Sequence, residues 1–172
     1  MEIVENFLEW QNSYKEWLKY YELNGKLDWN NYKRPKNKTA PNTKGIKLSD
    51  SKIMLISSAG AFLKRDQKAF DASNLFGDYT IRTFPIETPF EELSYAHEHY
   101  DHKVVEEDPQ SLLPLRNLEK LVKENIIHSL AKSVISFSGY LPDVKRLVEV
   151  LIPAILNEVK SQNPDAVLLV PS

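Results

Sequence analysis

Cysteine is missing altogether from the 172 residues, which excludes disulfides, cysteine-ligated zinc and thiol chemistry within them. Long hydrophobic runs are missing too. The apolar stretch Ala166–Val170 falls far short of the ~20 residues that a membrane-spanning helix needs. Charges scattered through residues 1–20 interrupt any signal-peptide core, so the protein is expected in the cytoplasm. There is no excess of basic charge: 22 Lys and Arg stand against 24 Asp and Glu, a net charge of −2 that disfavours nucleic acid and acidic membranes as partners. Neither G-x-G-x-x-G nor a Walker pattern occurs, so nothing supports a nucleotide site. No internal repeat or low-complexity tract is visible.

What is present suits a globular fold. A hydrophobic fraction of 42% over this length is enough for one domain with a real core. Ile3, Phe7, Trp10, Tyr14, Trp17, Leu18 and Tyr21 recur at spacings of three and four, which predicts an amphipathic helix over 2–23 that stops at Asn24-Gly25. Its aromatic stripe reads as a core-facing surface. Residues 26–48 turn polar and basic among prolines and read as a long solvated connection. A buried strand is expected at 51–58, an alternating one at 79–84, and further strands at 133–137 and 166–170. Helices are expected at 109–125 and 142–162, the latter kinked at Pro153. Strand and helix alternate, which argues for α/β: an open, mostly parallel sheet flanked by helices and preceded by the N-terminal helix. The expected organisation is an N-terminal helix (1–25), a basic linker (26–50) and an α/β domain (51–172), the last incomplete at its C-terminal end.

Chemistry-bearing residues concentrate at His97-Glu98-His99-Tyr100-Asp101-His102, which holds three of the four histidines. In a helix His97 and Asp101 share a face; in an extended segment His97, His99 and Asp101 do. Three roles stay open: a hydrogen-bonded loop, a metal site of His97, His99, Asp101 and His102, or acid–base and substrate-anchoring work with Asp101 fixing an imidazole tautomer. His128, beside Ile126-Ile127, reads as structural. The small residues after the first strand, Ser57-Ser58-Ala59-Gly60, lie where open α/β sheets place a ligand, making Ser58 and Gly60 substrate-binding candidates.

The ordered set Pro85-x-x-Thr88-Pro89, Leu93, His97-x-His99-Tyr100-Asp101, Asp108-Pro109, Pro114-Leu115, Ile127-x-Ser129-Leu130-Ala131, Ser136-Phe-Ser-Gly139-Tyr140 and Pro142-Asp143 resembles the selenoprotein B family of glycine, sarcosine and betaine reductases, which includes D-proline reductase subunits. The likeness runs from about residue 52 to residue 172. It implies a reductase acting on a small amino-acid-like substrate. In the family the strand equivalent to Ala166–Val170 leads to a selenocysteine or cysteine followed by x-x-Cys, and this selenolate or thiolate attacks substrate carbon held by a pyruvoyl partner subunit. The resemblance makes His97, His99 and Asp101 catalytic candidates facing that nucleophile, with Tyr100, Gly139 and Tyr140 on the substrate side and no metal.

No residue among these 172 replaces the nucleophile. A selenocysteine codon read as a stop would end a chain at Pro171-Ser172; a redox-inactive relative that binds a ligand or partner is the alternative, and a His/Asp metal enzyme is a third reading. No cofactor is expected in the chain itself, only a selenocysteine in a longer product. Reductase partner subunits and a homo-oligomer are expected.

Overall fold

The computed structural model describes residues 4–34, 36–39, 45–98 and 102–172. In chain order the elements are α1 (Phe7–Asn24), β1 (Lys52–Ser57), β2 (Ala61–Leu63), β3 (Ile81–Pro85), β4 (Leu93–Tyr95), α2 (His102–Glu107), α3 (Leu115–Lys123), β5 (Ser129–Leu130), β6 (Ser133–Phe137), α4 (Val144–Arg146), α5 (Ile152–Gln162) and β7 (Ala166–Val170). The class is α/β, with a mixed, mostly parallel sheet and an N-terminal helix.

The central strand is β1, whose run Ile53-Met-Leu-Ile56 is buried on both faces. One edge of β1 pairs in parallel with β5 near its start and with β6 near its end; the other edge pairs in parallel with β7 over five residues. Alternation then sorts the side chains. Ile53 and Leu55 face a core closed by Leu113, Leu115 and Leu118 at the start of α3. Met54 and Ile56 face the opposite side, where Ile155 and Val159 of α5 pack beside Ile135. Parallel strands covered on both faces read as continuous apolar runs, and β1 does so.

Several sequence expectations need correction. β3 is antiparallel to β6, registering Thr83 against Ile135. The chain between β2 and β3 carries no helix, and without a crossover helix a returning strand comes back antiparallel. The helix expected over 109–125 is confined to Leu115–Lys123, after a separate 3-10 turn at Pro109–Ser111. Pro114 keeps Leu113 out of α geometry, and Asp108 caps the short turn by accepting from Gln110 N at 3.0 Å. Pro153 produces a π turn, Leu147–Leu151, at the junction of α4 and α5, the usual result when a missing N–H interrupts the hydrogen-bond ladder.

A short antiparallel pair, β2 with β4, carries the chain back over the end of the main sheet. Its ladder is prolonged by Ala96 N donating to Gly60 O at 3.0 Å. Gly60 has φ +66°, and a Cβ there would stand 2.5 Å from Ala96 O, so only glycine lets the two backbones approach this closely.

Helix α1 ends as expected, with Gly25 left-handed and its N–H donating to Tyr21 O at 2.7 Å. Trp17 on its inner face is 2% exposed and stacks among Tyr14, Trp29 and Tyr32. Tyr32 is buried in turn: its hydroxyl donates to Pro142 O and accepts from Trp10 Nε1 at 2.9 Å. Residues 26–34 therefore lie against the body of the protein as a strap. Among the described residues no helix is long and apolar enough to cross a membrane, and the outer edge of β7 has no strand partner, leaving Val167, Leu168 and Leu169 exposed.

Candidate functional site

The carboxyl ends of β1, β6 and β7 meet at one point, the place where open α/β sheets receive ligands. Ser58 follows β1, Ser138-Gly139 follow β6, and Pro171-Ser172 follow β7. The β1–β7 ladder runs on past both strands, with Ser58 N donating to Val170 O at 3.1 Å. Ser172 N donates to Ser58 Oγ at 2.8 Å, and Ser172 Oγ donates to Ser58 O at 3.0 Å. The two hydroxyls are 3.0 Å apart. Into this group comes His97, 7% exposed, its Nε2 3.3 Å from Ser172 Oγ.

Proton bookkeeping gives this network a direction. With the Ser172 hydroxyl proton on Ser58 O and His97 in its Nε2–H tautomer, the Ser172 oxygen accepts from Ser58 Oγ–H and from His97 Nε2–H. Two donors thus converge where a hydroxyl oxygen now sits. Such an arrangement would stabilise an anion at that point, or pass a proton to one.

Gly139 makes the convergence sterically feasible. A Cβ there would stand 3.2 Å from Ser172 Oγ, 3.4 Å from His97 Nε2 and 3.4 Å from Ser58 Cβ. Below the site, hydroxyls of the strand ends hold the turns in place. Ser136 Oγ accepts from Ala61 N at 2.8 Å, and Ser57 Oγ donates to Leu112 O at 2.9 Å. His97 is delivered by β4 and by the Gly60–Ala96 contact, so the small-residue turn after β1 and the histidine segment are locked together.

Next to this group opens a cavity of about 330 Å³, lined by Trp29 and Arg34 of the strap, Leu75, Glu98 and Tyr140, among others. Glu98 and Tyr140 are the chain neighbours of His97 and Gly139, so cavity and site share two segments. Tyr140 donates to Leu75 O at 3.0 Å and meets the Trp29 ring edge-on at 5.8 Å between centroids. Burial raises its phenol pKa, against a smaller opposing effect of the Arg34 charge.

Of the residues expected from sequence, the structure brings together His97, Ser58 and Gly139. Gly60 serves the backbone approach behind them, and Tyr140 faces the neighbouring cavity. His99, Tyr100 and Asp101 lie outside the described residues. The metal reading falls largely on those positions, and among the described residues no three His, Asp or Glu side chains converge. His128 is exposed. Sequence reasoning missed Ser172 as the partner of His97 and missed the strap as a cavity wall. Trp29 and Tyr32 were the available signal, since a solvated connection has no reason to carry large aromatics.

A family model described as glycine/sarcosine/betaine reductase selenoprotein B matches residues 20–172. D-proline reductase subunit gamma of Acetoanaerobium sticklandii is 33% identical over 122 residues, covering 71% of this chain and 49% of the relative. The chain thus spans about half the length of the curated relative it matches. No solved structure matches.

Proposed function

The chain belongs to the selenoprotein B family of glycine, sarcosine and betaine reductases, and on that footing we propose that it forms the substrate-binding and proton-handling part of a reductase site whose nucleophile lies outside these 172 residues. The observation that carries this reading is the convergence of His97 Nε2 and the Ser58 hydroxyl on one point at the carboxyl end of the sheet. With no cysteine in the chain, the thiolate or selenolate that such a reaction requires must come from elsewhere. An anion reaching the vicinity of Ser172 would find two donors, one of them an imidazole able to become cationic. Both effects hold a thiol or selenol ionised near neutral pH. The same imidazole can give its proton to a leaving amine once the substrate's carbon–nitrogen bond breaks. His99 and Asp101 are kept as further catalytic candidates and Tyr100 as a substrate contact.

The substrate class is a small amino acid or its N-methylated derivative. The protein works in the cytoplasm as a subunit among reductase partners and as a homo-oligomer; the exposed apolar edge of β7 supports burial against another chain. The test is to express the native gene through and beyond the codon for Ser172, with selenocysteine decoding allowed. The product is then assayed with partner subunits and a dithiol for reduction of glycine, sarcosine, betaine and D-proline. Turnover of one of them, slowed at least tenfold by His97→Gln, is expected. A folded product that reduces none of the four rejects the reading, and the redox-inactive binding protein takes its place.

A further inference from the structure

The cavity beside His97 is lined by a guanidinium that forms no ion pair among the described residues. Arg34 lies with its Cζ 5.4 Å from the Trp29 ring centroid and 5.0 Å from that of Tyr32. Two other guanidiniums are committed: Arg82 donates to the carbonyls of Lys68 and Ile81, while Arg116 pairs with Glu119 at 3.2 Å and donates to Ile86 O. Arg34 meets no carboxylate among the described residues. Two aromatic faces hold it in place, and Tyr32 beneath it is buried and tied to Pro142, so the cation is fixed against the wall of a cavity. A guanidinium held this way keeps most of its five N–H donors for a ligand. The ligand it fits is a carboxylate, which takes a parallel pair of them.

We propose that Arg34 is the carboxylate anchor of the substrate pocket and therefore a specificity-determining residue supplied by the N-terminal strap. Trp29, Leu75 and Tyr140 form the apolar wall for the body of the ligand, and Glu98 places a negative charge in the same cavity for its cationic nitrogen. Glu98 adjoins His97 and Tyr140 adjoins Gly139 in the chain, so the cavity wall and the point where His97 and Ser58 converge are built from two shared segments. The choice of ligand rests on the reductase reading; the anchor itself does not.

The test uses the 172-residue protein and matched pairs of small molecules: glycine betaine against choline, and D-proline against D-prolinamide. Binding is followed through the NMR signals of the Trp29 indole N–H and the Arg34 Nε–H, assigned with Trp29→Phe and Arg34→Lys. The carboxylate-bearing member of each pair is expected to produce saturable shifts at both signals, and its partner at least tenfold weaker ones. Arg34→Lys should weaken carboxylate binding about tenfold and Arg34→Gln should abolish it, with melting temperature lowered by only ~2–4 °C as the two cation–π contacts are lost. Equal binding within a pair, undiminished binding by Arg34→Gln, or no saturable shift with any carboxylate overturns the anchor. If carboxylates bind through Arg34 while the longer gene product reduces none of them, the anchor stands and the reductase reading falls. If reduction proceeds with KM unchanged by Arg34→Gln, the reductase reading stands and the anchor falls.

Discussion

Replacing Gly60 by alanine tests the contact that delivers His97. Gly60 sits at φ +66°, where an L side chain costs ~1–2 kcal/mol. The added Cβ would also stand 2.5 Å from the carbonyl oxygen of Ala96, a backbone atom that cannot rotate away. Relieving that overlap pushes Ala96 back and lengthens the 3.0 Å bond from Ala96 N to Gly60 O, adding ~1–3 kcal/mol of overpacking and lost hydrogen bonding. The total is ~2–5 kcal/mol, or roughly 4–20 °C in Tm for a protein of this size. Two other glycines calibrate the scale. Gly25 is left-handed at φ +65° with nothing near its missing Cβ, so Gly25→Ala should cost only the conformational part, ~1–2 kcal/mol. Gly45 has neither strain nor neighbours, and Gly45→Ala should be neutral within ~0.5 kcal/mol. Urea unfolding of the three variants measures the series. Equal costs at positions 60 and 25 would refute the claim that the Gly60–Ala96 approach is tight.

Other expectations separate site from scaffold. Gly139→Ala carries no backbone strain and meets only side chains at 3.2–3.4 Å, so stability should fall by less than ~1 kcal/mol while ligand binding near His97 is impaired; melting and titration on the same sample decide this. Tyr32→Phe leaves Pro142 O and Trp10 Nε1 without their partner and should cost ~1–3 kcal/mol, read from urea unfolding, and should loosen the strap, read from faster hydrogen exchange over residues 26–34. The phenols of Tyr14 and Tyr95 are pushed up to about 12 by burial, and those of Tyr32, Tyr79 and Tyr140 also lie above the ordinary 10.0. A raised phenol pKa gives stability that is complete below pH 10 and lost as pH climbs through the folded values. Tm should therefore hold up to pH 10 and fall beyond it, and absorbance titration should show these five tyrosines ionising late.

The parts of the fold that were legible in the sequence are those with long, unambiguous patterns. The continuous apolar run of β1 announced a buried parallel strand, the run of β7 announced a parallel strand but not that Val167, Leu168 and Leu169 would be exposed, and Asn24-Gly25 announced the end of α1. β2, β4 and β5 were not legible, because two or three residues cannot display a period. The orientation of β3 depended on a crossover that never forms. At the site, the histidine cluster drew attention to His97, but its meeting with Ser172 spans 75 residues of sequence and exists only because β7 lies beside β1. Arg34 was hidden differently. Its basic neighbours made it look like one more solvated charge, and only the packing of Trp29 and Tyr32 distinguishes it.

The central claim is that His97 faces a thiolate or selenolate carried outside these residues. It is tested most directly by the pH dependence of iodoacetamide alkylation in the longer gene product, with any selenocysteine replaced by cysteine. The reactive thiol is expected to titrate well below the ordinary ~8.5 of a free cysteine, and His97→Gln should move it back toward that value. A thiol that titrates identically with and without the imidazole would contradict the account.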